Sequence, residues 1–382
     1  MSEIKNTPSF SSDYHPERMI DEIEENLSHG KARMEALRYG IQQADQHRDL
    51  PYQIFFRIMA CRESTFYGDS MDCLIIFPEL LALADQDPKL PGNPNYAFAY
   101  EIEHVMWVYK WVLTDCVDYY QISMEDCRNF FEDYRKRCVS MGISLRNYYG
   151  SMYSFYWQID KAKAEEYFHQ FEKMSRDGHS DCKACERNME IQFYLDQNDF
   201  QKAQGLSHEI ENFSLICGGE SKRSAWLRMK VSYMHYYMKH KNYEKAETFC
   251  RLVERHMNGE TEYECWDDFL ACYAYTNMGK ALKLYKEHWK EWLRLRSPLE
   301  QLEAEENICI FFRELGRVRK GKTVKIHYDS SFPLYREDGT YRIRELFDFY
   351  YRRVWQTAKK FDARNGSDYY RQELEEIFHE NV

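Results

Sequence analysis

Apolar positions recur along most of this chain at helical spacing, i, i+3, i+4 and i+7, and seldom alternate. Helices are therefore expected, broken where turn formers gather. DQDPKLPGNPN, residues 85–95, holds three prolines and reads as a loop. SMED, residues 123–126, sets a serine three positions before an acidic residue and predicts the start of a helix carrying Phe130 and Phe131. Further on, KTVKIHYDSSFPLY alternates in the manner of a strand or extended loop. An amphipathic helix is expected from about residue 342 to 362, closed by RNGSD, with a short helix after it.

From about residue 146 a longer period sets in. WQIDKAKAEEYF, YLDQNDFQKAQGL, YMKHKNYEKAETF and YTNMGKALKLY each close one helix, cross a short polar break and open a second helix. The aligned alanines are Ala164, Ala203, Ala246 and Ala281, spaced 39, 43 and 35 residues apart. A small residue at that point lets two helices cross closely. About a dozen residues earlier, Met152, Ile191, Met234 and Phe269 supply an apolar face for the first helix. A fifth unit is suggested by ICIFFRELGRVRK, which begins at Ile308.

This pattern resembles the tetratricopeptide repeat, with NYEKA, residues 242–246, the nearest match and NDFQKA the next. The spacing is irregular, larger residues replace the small one of the first helix, and the closing prolines are missing. The similarity is therefore to a divergent member, with a weaker upstream echo in YGDSMDCL at Tyr67. The layout is also similar to bacterial repeat proteins that carry an SDCxACE segment between two repeats. The resemblance implies an all-α superhelix, an α-solenoid of antiparallel helix-turn-helix repeats. Irregular N-terminal helices would occupy residues 1–145 and the repeats 146–320. A C-terminal extended segment plus helical cap would follow over 321–382.

Charge removes some functions. The net charge of −11 lacks the clustered positive charge that phosphate binding requires, so no nucleic-acid partner is expected. RVRKGKTVK, residues 317–325, is the local exception and reads as solvated surface. No apolar run approaches the roughly 20 residues of a membrane span, and the first residues lack the apolar core of a signal peptide. The 12 cysteines are scattered, some on apolar faces as at Cys250 and Cys309, so reduced thiols and a cytoplasmic location are expected. HExxH, GxGxxG, GxxxxGK[ST] and GxSxG motifs are all absent, and no catalytic residue is nominated.

HSDCKACERN, residues 179–188, admits three readings. The preferred one is a helix start capped by Ser180 or Asp181 with Cys185 turned inward, which needs no cofactor. The second is a structural zinc held by His179, Cys182, Cys185 and Cys217. The third is a redox pair activated by the helix N-terminus.

The resemblance further implies a partner-binding concave face lined by the first helix of each pair. Its inward positions would be Tyr149 and Tyr153, Asn188 and Gln192, Arg228 and His235, and Trp266 and Tyr273. Such a set suits a protein or peptide gripped by stacking and hydrogen bonds. The expected function is a non-catalytic scaffold or adaptor. The alternatives are a peptide-responsive regulator resembling the bacterial quorum-sensing receptors built on these repeats, and an enzyme with an unrecognised site.

Overall fold

The computed structural model describes residues 14–86, 102–217, 223–257 and 266–379. Most of the loop expected over 85–95 lies outside them. The described residues are all-α apart from one two-stranded sheet. They form two compact units: Met1–Ser180 with Arg296–Leu299 and Lys360–Val382, and Asp181–Leu295 with Glu300–Lys359. The division at residue 180 falls inside the stretch expected as one run of repeats.

The first unit contains α1 (Pro16–Asn26), α2 (Lys31–His47), α3 (Leu50–Tyr67) and α4 (Ser70–Ala84). After these come α5 (Ile102–Asp115), α6 (Met124–Met141), α7 (Arg146–Trp157) and α8 (Lys161–Lys173). Ile23, Leu37, Phe56 and Ala60 are buried together where α1, α2 and α3 meet. Gly40 is required there, because a Cβ at that position would stand 2.6 Å from the Phe56 ring. As the SMED pattern predicts, Ser123 Oγ accepts from the Asp126 N–H at 3.0 Å and caps α6.

The second unit begins with α9 (Lys183–Asp196), α10 (Phe200–Glu211), α11 (Ser224–Lys239), α12 (Tyr243–Glu254), α13 (Trp266–Thr276) and α14 (Met278–Trp292). Then follow α15 (Pro298–Val318), strands β1 (Thr323–Lys325) and β2 (Thr340–Arg342) and α16 (Ile343–Asn365), while the first two residues of α15, the end of α16 from Lys360 and all of α17 (Tyr369–His379) belong to the first unit. The strands pair antiparallel with Val324 opposite Tyr341, both pointing inward. Beside them the hydroxyls of Tyr285, Tyr328 and Tyr350 bond one another at 2.7 and 2.9 Å, so three buried rings satisfy their own polar atoms.

Helices α7 and α8, α9 and α10, α11 and α12, and α13 and α14 pack as consecutive pairs. Each second helix starts the same way. Asp160, Asp199, Asn242 and Asn277 are the N-caps, each accepting the backbone N–H of a lysine three residues on. Those lysines, Lys163, Lys202 and Lys280, donate to Tyr156, Tyr194 and Tyr273 at the end of the preceding helix. Lys245 instead lies 5.2 Å from the ring centre of Tyr237. The fourth residue is the repeated alanine, fully buried in all four helices. A cap of this kind is worth about 1 kcal/mol, so the polar break fixes where each second helix begins.

Candidate functional site

The second unit carries a row of polar side chains across its first helices. Asn188 of α9 donates to the carbonyl of Ala225 on α11 at 2.9 Å. His235 of α11 meets Asp268 of α13 at 2.9 Å through Nε2. Asn307 of α15 donates to Asp267 at 3.1 Å. Gln192 donates to Asp196 one turn along α9 at 3.0 Å, and Arg228 Nη2 lies 3.7 Å from Cys185 Sγ. These residues share a row because α9 packs on α11, while the His235–Asp268 contact ties α11 to α13, and Asn307–Asp267 with Arg313–Tyr275 tie α13 to α15.

The electrostatics of the row are unusual at its α13 end. Burial works against a charged His235 ring, but Asp268, with Asp267 and Glu303 beside it, outweighs burial and holds the pKa up at about 9. About half of that side chain nevertheless meets solvent, at 48%. Asp267 is pushed up to about 7, first by burial and then by the charge of neighbouring Asp268.

Of the eight residues expected to line a groove, Asn188, Gln192, Arg228 and His235 belong to this row. The four aromatic ones do not. Tyr153 is buried against Phe168 of α8, with ring centres 5.3 Å apart, and Tyr149 leans toward Tyr167 at 6.4 Å. Trp266 stacks on His288 of α14 at 5.1 Å. Tyr273 is fully buried and donates to Glu254 of α12 at 3.0 Å. All four rings face second helices, so the expected aromatic platform of Trp266 and Tyr273 does not form. The reason is area: a ring gains most by full burial against the partner helix. The residues missed, Asp267 and Asp268, stand one and two positions beyond Trp266, a turn of about 100° each around the helix. The signal available in WDD was two adjacent carboxylates beside the ring, though not which side of α13 they would take.

At the other end of the row three thiols converge. Cys182 itself, rather than Ser180 or Asp181, is the N-cap of α9, and its Sγ accepts from the Cys185 N–H at 3.3 Å. Cys185 lies 3.0 Å from it on the first turn. Cys217, from the α10–α11 connection, lies 3.7 Å from Cys182 and 3.9 Å from Cys185. A hydrogen bond shared with Cys185, aided by backbone N–H groups, pulls the Cys182 thiol down to about 5 against the effect of burial. The same contact, with burial, pushes Cys185 up. His179 is not a member of this cluster; Lys110 and Asn147 donate to its carbonyl, and its Nε2 is buried without a hydrogen-bond partner.

Comparison of the chain with protein-family models, with curated proteins and with solved structures finds no match.

Proposed function

We propose that this chain is a non-catalytic protein- or peptide-binding helical repeat of the tetratricopeptide type, a superhelix whose ligand lies along the polar row of α9, α11, α13 and α15. The observation that carries this reading is the His235–Asp268 contact. It puts an exposed imidazole and a carboxylate from successive first helices side by side. The repeated caps and buried alanines of the second helices support the repeat assignment. The ligand's charge follows from the row. Asp267, Asp268 and Glu303 favour a basic side chain at one end, while Arg228 favours a carboxylate at the other.

The test is affinity capture from the native host with wild-type protein and with Arg228→Ala and Asp268→Ala, followed by binding of synthetic peptides from the captured partner. Each variant should weaken peptide binding by roughly 2 kcal/mol, about thirtyfold, with an unchanged circular dichroism spectrum. Undiminished binding by both variants would move the ligand to another surface.

A further inference from the structure

The three-thiol cluster is not absorbed by a peptide-binding role. Among the described residues, Cys182, Cys185 and Cys217 are the one group of metal-ligating type whose donor atoms all lie within 4.8 Å of one another. Elsewhere the described cysteines that interact do so in twos, as Cys61 with Cys73, Cys116 with Cys127 and Cys250 with Cys272. We propose that Cys182, Cys185 and Cys217 bind a single zinc ion as thiolates, and that the metal fastens the start of α9 to the α10–α11 connection.

Three observations support this. The first is spacing. Tetrahedral zinc with Zn–S bonds of about 2.3 Å places its sulfurs about 3.8 Å apart. Cys217 stands 3.7 and 3.9 Å from the other two sulfurs, and only the Cys182–Cys185 separation of 3.0 Å must open. The second is support around the ligands. The Cys185 N–H is directed at Cys182 Sγ, and Arg228 Nη2 lies 3.7 Å from Cys185 Sγ. Three thiolates on a divalent ion leave one net negative charge, which a guanidinium beside them offsets. The third is the presence of Cys217 itself. A redox pair needs only Cys182 and Cys185, and leaves the third thiol, Cys217, brought to the same half-buried helix start, without a role.

The chemistry balances without another reactant. Each thiol that carries a proton releases it to solvent as its S–Zn bond forms, so loading acidifies the medium. Three protein ligands leave the fourth position to water or an incoming donor.

The test uses the full chain, stripped with chelator and reductant and then titrated with zinc against a chromophoric competitor, and separately with cobalt. One ion per chain should bind, and cobalt should develop the near-ultraviolet thiolate-to-metal absorption of three sulfurs. Cys217→Ser should lose more affinity than Arg228→Ala, for which a roughly 10- to 100-fold loss is expected of an outer-shell partner. Cys250→Ser should match wild type. Absence of saturable binding overturns the proposal, as does a cobalt spectrum without thiolate bands, neither of which depends on a variant folding. Undiminished affinity in a folded Cys217→Ser also overturns it, and so does recovery of the untreated protein metal-free with a Cys182–Cys185 disulfide.

Discussion

His235 Nε2 on α11 and a carboxylate oxygen of Asp268 on α13 stand 2.9 Å apart. The pairing joins two residues 33 positions apart in the chain and keeps the His235 imidazole protonated through neutral pH. Because the folded pKa of His235 is raised to about 9 from an ordinary 6.5, its stabilising contribution is fully present below pH 6.5. That contribution is lost as pH rises through 9. A proton NMR titration of the imidazole should show the elevated midpoint. Asp268→Asn should lower it toward 6.5, and an unmoved midpoint would mean that the pair is not formed in solution.

Ala246 occupies the fourth position of α12 and is fully buried. Ala246→Leu inserts volume between α12 and the helices it crosses and should destabilise the protein by about 1–3 kcal/mol. Chemical denaturation followed by circular dichroism reads the change. A wild-type midpoint would mean that the crossing is looser than its packing indicates.

Trp266 stacks on His288 and meets Phe269 edge-on. Trp266→Ala should therefore lower stability, by about 2 kcal/mol or more, short of the about 3–5 kcal/mol of a fully buried aromatic. Ligand binding measured well below the melting temperature should be retained. Loss of binding with stability intact would return Trp266 to the groove.

Asp362 of α16 is almost completely buried, and its carboxylate accepts the N–H groups of Tyr370 and Arg371 at 3.0 and 3.2 Å. It thus caps the start of α17 from another helix, and Arg371 Nε adds a bond at 2.8 Å. Asp362→Ala leaves those donors without their acceptor and should cost about 1–3 kcal/mol. Hydrogen exchange should show the first turn of α17 losing protection before the rest of the molecule. Uniform protection would mean that the cap is dispensable.

Helix content, the polar breaks of the repeats and the small residue after each break were determined by the sequence alone. The caps depend on contacts spanning only a few residues. The side chain of Asn242 reaches the N–H three positions on, and Ala246 is small wherever its helix packs. The Asn365–Gly366 stop of α16 is equally local, with Gly366 at φ +65. Only the tertiary structure decided which side of a helix meets solvent. Trp266 and Asp267 are neighbours in sequence, and their roles were separated by α14, which offers the indole His288 to stack on, and by α15, which offers the carboxylate Asn307. The thiols show the same division. Cys182 and Cys185 meet because a helical turn brings them together, whereas Cys217, 35 residues from Cys182, joins them because residues 212–217 after α10 bring it to the start of α9. His179, three residues before Cys182 in sequence, is not one of the three donors that converge.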